Sequence, residues 1–313
     1  MSTPVSATTP IILDCDPGHD DAIALLLALA SPEVEVLGVT TVHGNQTLDK
    51  TTANVLRVLN LAGRAEIPVA PGADRPLRRE LTVASHVHGE SGLDGPALPP
   101  PGRKALDEHA VDFMERTIAA SDVSVTLVPT GPLTNIALLL ERTGGANVER
   151  IVLMGGAIAE GNMTPAAEFN VWADPEAAQA VFHAGIETTM IGLDVTHRAV
   201  TTPALQERLR DKGTIGAFVA DLVDFFAVYH RETYGWDGAP IHDAVALARV
   251  IQPALVTTIE CNVEVELDSD LCRGRTVVDR WRRTDRQPNA HVGIDLDTEG
   301  FFDLLVERIG RFQ

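Results

Sequence analysis

Apolar runs and helix-like periodicities alternate along the first two-thirds of the chain. Residues 11–14 (IILD) are a short apolar run that predicts a strand. Residues 20–30 follow with helical spacing, and Ser31-Pro32 ends the helix, because proline disfavours helical backbone in the residue before it. The β-branched run 34–42 predicts a second strand. Residues 47–62 predict a helix, with Gly63 where a closing glycine belongs, and residues 67–73 a strand and turn. Helices at 106–120, 133–141 and 174–184 then interleave with strands at 123–131, 150–157 and 187–195. Beyond Thr196 the pattern is helical, with a strand pair near 261–278 and a terminal helix from Thr298. Residues 75–102 break the rhythm. They are rich in Pro, Gly and His, carry "HVHGESGLDG", and read as a long functional loop.

Strands that are apolar on both faces and alternate with helices predict an α/β fold, a mostly parallel central sheet flanked by helices. No linker-like shift in composition divides the chain. The reading is a single domain over residues 11–313 after a short disordered lead-in, residues 1–10. Sites in such folds form at the carboxyl ends of strands. The polar clusters of this sequence all follow strands: the acids of 14–21, His43-Gly44-Asn45, Thr130-Gly131 and the block 155–170.

Composition narrows the partners. Hydrophobic residues make up 45%, enough to fill a sizeable core. Lys and Arg total 25 against 44 Asp and Glu, a net charge of −19 that repels nucleic acid and anionic membranes. The expectation is a soluble cytoplasmic protein with a small-molecule partner, no nucleic acid and no membrane. The basic run "RWRRTDR" (280–286) reads as a solvated edge or a subunit contact. Cys15, Cys261 and Cys272, odd in number and at no ligand spacing, read as reduced thiols. Neither a secretory leader nor an uninterrupted apolar run of about 20 residues is evident.

The densest chemistry lies in "DCDPGHDDA". Asp14, Asp16, Asp20 and Asp21 fall within eight positions, with no Lys or Arg between Ile11 and Lys50. One acid after a strand is ordinarily a helix cap. Four together raise each other's pKa and require a counter-charge to ionise. An oxygen-only donor set suits a hard cation rather than zinc, and leaves Ca²⁺ and Mg²⁺ both open.

The same stretch resembles the D-x-D-P-G-x-D-D motif of the nucleoside hydrolases, the inosine–uridine type that cleaves ribonucleosides to ribose and free base. Further blocks follow in family order: Gly44-Asn45, "HGESGLDG" (88–95), "VPTGPLTN" (128–135), "GGAIAEGNMTPAAEFN" (155–170) and "PIHDAVA" (240–246). The resemblance covers nearly all of the chain and implies the Rossmann-like nucleoside hydrolase fold. It implies Ca²⁺ held by Asp16, Asp21, the Thr130 carbonyl and Asp243, and a water on that ion activated by Asp16 as base, with inversion at the anomeric carbon. By the same resemblance Asp20 holds the ribose diol and Asn45 orients that water or Asp16; Asp14, deeper in the strand, is expected to have a supporting hydrogen-bond role. Asn162 and Glu168 would bind the 5′-hydroxyl and Asn170 the other hydroxyls, with Met154 beneath the sugar and Phe169 on the base side. His242 corresponds to the proton donor to the base and His88 to a second pocket histidine. Tyr229, His230, Tyr234 and Trp236 fall in a region that forms a mobile wall over the base in relatives. A homo-oligomer, tetramer or dimer, is expected.

Purine and pyrimidine preference share these blocks and stay open. Two other readings share the acidic start. A haloacid dehalogenase-type metal phosphatase needs a Lys or Arg cradle for phosphate, which is missing near this loop. A non-catalytic ribose- or nucleoside-binding protein would leave the acid–base residues unused.

Overall fold

In the computed structural model, which describes residues 8–312, strand and helix alternate from the first residues onward. The order is β1 (Thr9–Cys15), α1 (His19–Leu29), β2 (Val34–Thr41), α2 (Leu48–Leu61), β3 (Val69–Pro71), α3 (Ser85–His88), α4 (Ala110–Ala120), β4 (Val125–Pro129), α5 (Thr134–Thr143) and β5 (Val148–Met154). It continues with α6 (Phe169–Ala173), α7 (Pro175–Phe182), β6 (Thr188–Ile191), α8 (Leu193–Thr196), α9 (Pro203–Arg210), α10 (Gly213–Tyr234) and α11 (His242–Ile251). The last elements are β7 (Val256–Cys261), β8 (Val263–Val265), β9 (Thr276–Val278), β10 (Ala290–Leu296) and α12 (Thr298–Ile309).

Eight strands form one sheet in the order β3-β2-β1-β4-β5-β6-β10-β7, parallel throughout except where β7 joins the edge antiparallel to β10. β1 sits inside it with six of its seven residues buried. Its side chains alternate between faces, as the pleat requires. Ile11, Leu13 and Cys15 join the core that packs against α1, α2 and α9–α12, and Ile12 joins the core under α4–α7. α1 buries Ile23, Leu26 and Leu27 completely, each contributing roughly 1.5–3 kcal/mol of burial. Leu26→Ala would therefore cost about 2–5 kcal/mol. That anchoring fixes the first turn of α1, where the acids lie.

The sequence reading holds for the parallel α/β core and shifts at several points. Residues 1–7 of the expected lead-in lie outside the described residues, and Thr9 and Pro10 already belong to β1. The strand expected over 187–195 stops at Ile191, and Gly192 caps α8. The strand expected over 150–157 ends at Met154, before Gly155 and a Gly156 with φ of +75° turn the chain. The pair anticipated near 261–278 is the small sheet β8–β9. β7 and β10, read as part of a helical tail, extend the main sheet. Both mix buried with partly or fully exposed positions, so neither carries the continuous apolar run of the central strands.

α10 is 22 residues long and apolar enough to cross a membrane by composition. Ten of its residues are buried, packed into the core with α1, α9 and α12. The three cysteines are free thiols, and the 280–286 run is mostly exposed, as expected.

Candidate active site

A single pocket lies over the carboxyl ends of β1, β2, β4 and β5 and is closed by the start of α11 and the end of α10. At its floor β1 and β4 are locked in register, and the Thr130 N–H donates to the Asp14 carbonyl at 2.8 Å. Asp14 points away from solvent. One of its oxygens accepts from the Thr40 hydroxyl at 2.6 Å and the Asn135 amide at 2.8 Å.

The acids that follow are buried, which excludes a solvated turn. Asp21 completes a reciprocal cap at the start of α1: its Oδ2 accepts from the Gly18 N–H at 3.0 Å and the Asn45 amide at 3.2 Å. Its Oδ1 accepts from the Thr130 hydroxyl at 2.8 Å. Asp16 Oδ2 accepts from the Asn45 backbone N–H at 2.6 Å, and its buried Oδ1 has no protein partner. Oxygens of Asp20, Asp21 and Asp243 lie within 4.8 Å of one another. Sequence reasoning separated Asp20 from the ligand set; the structure brings its carboxyl into the same cluster as Asp21 and Asp243.

Electrostatics follow from this crowding. Burial, then the Asp21 charge, holds the Asp16 carboxyl well above the usual range. Burial, then Asp20, does the same to Asp243, and burial pushes Asp20 up to about 8. No Lys or Arg lines the pocket. A partnerless buried carboxylate oxygen, three converging carboxyls and a purely oxygen donor set fit a hard divalent cation. The Thr130 carbonyl accepts from the Asn170 amide at 2.7 Å, which leaves its second lone pair free for such an ion.

The residues expected to hold the sugar line the same pocket. Glu168 caps α6, with Oε1 accepting from the Asn170 N–H at 2.9 Å and Oε2 from Gly156 N–H at 2.9 Å and Val171 N–H at 3.2 Å. Burial still raises its carboxyl to about 7 against those donors. Asn162 accepts from the Phe169 N–H at 2.9 Å, and Asn170 also donates to the Met154 carbonyl at 3.1 Å. Asn162, Glu168, Phe169, Asn170 and Met154 all line the pocket.

Aromatic rings line the same pocket. His242, first residue of α11, lies 2.7 Å through Nδ1 from the Thr196 hydroxyl, and burial lowers its pKa well below the ordinary value. His88, Tyr229, His230 and Tyr234 also face the pocket. Trp236 does not line it, and instead stacks on Tyr234 with ring centroids 4.7 Å apart. Sequence reasoning missed His86, His197 and Phe226 in this wall. Phe226, His230 and Tyr234 recur every four residues on one face of α10, a signal that could have found the first. His197 had no such signal; it follows α8, a helix the sequence did not reveal.

The profile of the family described as inosine-uridine preferring nucleoside hydrolase matches residues 11–303. The pyrimidine-specific ribonucleoside hydrolase RihA of Shewanella sp. (strain MR-4) is 55% identical over 304 residues, covering 96% of this chain and 96% of that one. Its counterpart of the same description in Photobacterium profundum is 51% identical over 307 residues, covering 97% and 99%. Among solved structures, the purine-preferring ribonucleoside hydrolase from Gardnerella vaginalis superposes with a TM-score of 0.91 at 35% identity, over 97% of this chain and 99% of that one. The inosine-uridine preferring nucleoside hydrolase from Bacillus anthracis, at 23% identity and a TM-score of 0.82 over 97% and 99%, shares the fold. These matches leave no place for the phosphatase or non-catalytic readings: the chain is a ribonucleoside hydrolase and belongs to the inosine-uridine preferring nucleoside hydrolase family.

Proposed function

We propose that this enzyme hydrolyses pyrimidine ribonucleosides, uridine and cytidine, to ribose and free base, using Ca²⁺. The observation that carries the reading is one pocket lined both by the carboxylates Asp20 and Asp243 and by the rings of His88, Tyr229 and His242. A ribose laid on the carboxylates sends its base among the aromatics. The names of the relatives at 51–55% identity support the pyrimidine preference.

Asp16, Asp21, Asp243 and the Thr130 carbonyl would hold the ion. Ca²⁺, when bound, supplies the positive charge that lets these carboxylates ionise together and lowers the pKa of water beside it. Asp16 is the base: its Oδ2 is held by Asn45, and its free Oδ1 takes the proton from the attacking water. The water oxygen bonds to the anomeric carbon as the bond from that carbon to the base nitrogen breaks. The surrounding carboxylates stabilise the positive charge that develops on the sugar. Asp20, Asn162, Glu168 and Asn170 hold the ribose hydroxyls, and Met154 packs beneath the ring. The His242 imidazolium, with its Nδ1 held by Thr196, delivers its Nε2 proton to the departing base and is left neutral, the form its burial favours.

A kcat/KM panel over uridine, cytidine, inosine, adenosine and guanosine tests the preference. The expected result is uridine and cytidine above every purine nucleoside by tenfold or more. A purine nucleoside as the best substrate overturns it.

A further inference from the structure

The 75–102 loop brings His88 to the pocket on the short α3 but contains no strand, so its backbone groups need partners elsewhere. One side of α2 supplies them. Lys50 and Asn54, four residues apart, share a face of that helix, and Gln46 extends the row ahead of its first turn. The three donate to three consecutive carbonyls: Gln46 Nε2 to Gly89 at 3.0 Å, Lys50 Nζ to Glu90, and Asn54 Nδ2 to Ser91 at 2.9 Å. Arg57 continues the row, donating to the Leu98 and Pro99 carbonyls at 3.1 and 3.2 Å. The N–H groups of the same turn go to Asp94, whose carboxylate accepts from Glu90 at 2.9 Å and from Ser91 at 3.2 Å.

Asn54 makes one bond more than its neighbours in the row. Its amide also donates to the carbonyl of Pro17, inside the acidic motif, at 3.2 Å. Both partners are carbonyls, so the nitrogen faces them and spends one hydrogen on each. The residue is 2% exposed, so water does not stand in for either bond. Gly92 closes round the joint with φ of +83°: a Cβ there would stand 3.0 Å from the Asn54 amide nitrogen and 3.4 Å from the Pro17 carbonyl oxygen. α2 is itself fastened to the end of β2, where the Thr51 hydroxyl donates to the Val42 carbonyl at 3.0 Å. The acidic loop and the turn behind His88 are therefore both held by one amide on a fixed helix. The His88 ring lies across the same seam, its Nδ1 accepting from the His19 backbone N–H at 3.3 Å.

We propose that Asn54 is a positioning residue for the reaction: by bridging Pro17 and Ser91 it sets the His88 ring at a fixed place relative to Asp20, and so aligns the base with the sugar. Asn54 does not line the pocket and acts only through His88. The proposal rests on the reading above that places the base among the rings that include His88. A residue that positions a contact cannot lose more than that contact is worth, so the effect of His88→Ala is the ceiling for any change at Asn54.

The test is a double-mutant cycle between Asn54→Leu and His88→Ala on calcium-supplemented enzyme, read as KM for uridine and as Ki for free ribose, which binds without a base. Asn54→Leu should raise KM about two- to tenfold, the range of one neutral hydrogen bond, and no further than His88→Ala does. In the His88→Ala background it should add nothing, because the two residues act as a unit. Ki for ribose should stay unchanged in every variant, a split that general loosening of the fold would not produce. Asn54→Ala, which leaves room for water at both carbonyls, goes through the same cycle should Asn54→Leu fail to fold. An unchanged KM in the folded variant, additive losses in the double variant, or a ribose Ki that rises with KM overturns the inference, as does a normal KM in His88→Ala. Should a purine nucleoside prove the best substrate, the pyrimidine reading falls, and the same cycle on that nucleoside still decides the role of Asn54.

Discussion

The backbone N–H of Asn45 reaches across from the end of β2 to hold Oδ2 of Asp16 at 2.6 Å, and Oδ1 of the same carboxylate is buried without a protein partner. One oxygen anchored and one free is the arrangement a general base needs: its orientation is fixed and its proton-accepting lone pairs are unspent. Asp16→Asn keeps the size and the contact to Asn45 but removes the basicity. It should lower kcat for uridine by about 10²–10⁴. A kcat within tenfold of the unmutated enzyme would refute the role.

Gly131 makes the free oxygen possible. A Cβ on Gly131 would lie 2.5 Å from Asp16 Oδ1, so any larger residue pushes the carboxylate aside. Gly131→Ala should cost only about 1–3 kcal/mol of stability, as one extra methyl in a packed site. Misplacing a reacting group by an ångström costs on the order of 10² in rate, so kcat should fall much further than stability alone explains. Thermal melts beside steady-state kinetics separate the two effects. Normal kcat in a stably folded variant would show that Asp16 does not need its present position.

His242 and Thr196 bear on the leaving group. His242→Ala should reduce turnover of uridine far more than that of 4-nitrophenyl riboside, whose leaving group needs no proton. A loss of about 10²-fold or more on the first, against a much smaller loss on the second, is the expected split. Equal losses on both substrates would make His242 a structural residue.

Stability should depend on pH in a way that the cation reverses. Burial raises Asp14 to about 6, Glu168 to about 7 and Asp20 to about 8. A carboxyl whose folded pKa is raised stabilises the fold fully below its unfolded value, near 4, and loses that contribution as pH rises through the folded value. His19, His43 and His230, lowered to about 4 by burial, act at the other end, weakening the fold only as pH falls below about 6.5. Between pH 6.5 and 8 the carboxyls therefore set the slope. In chelator the melting temperature should fall across that window, and calcium should restore it. A melting temperature that climbs with pH in chelator would contradict the account.

Much of this was legible in the residues. The central strands announced themselves because both faces are buried, as in β1, and the acids stood out because no basic residue accompanies them. β7 and β10 were not legible, because short strands near a sheet edge that mix buried with partly exposed positions do not stand out from a helical tail. At the site, motif positions located Asp16, Asp21, Asn45, Asp243 and His242 in one pocket floor or wall. What sequence could not supply was convergence. Asp20 joins Asp243, 223 positions away, only through the packing of α1 on α11, and His19 meets His88 only through the return of the 75–102 loop.

The central claim is that the carboxylate cluster works as a hard-cation site for nucleoside hydrolysis. The most direct measurement is uridine turnover by enzyme stripped of metal with a chelator, then titrated with Ca²⁺, with bound metal quantified in parallel. The account predicts that turnover is lost on stripping and returns in proportion to bound calcium, and that Asp21→Asn recovers little at the same calcium concentration. Full turnover by protein shown to be free of divalent metal would contradict it.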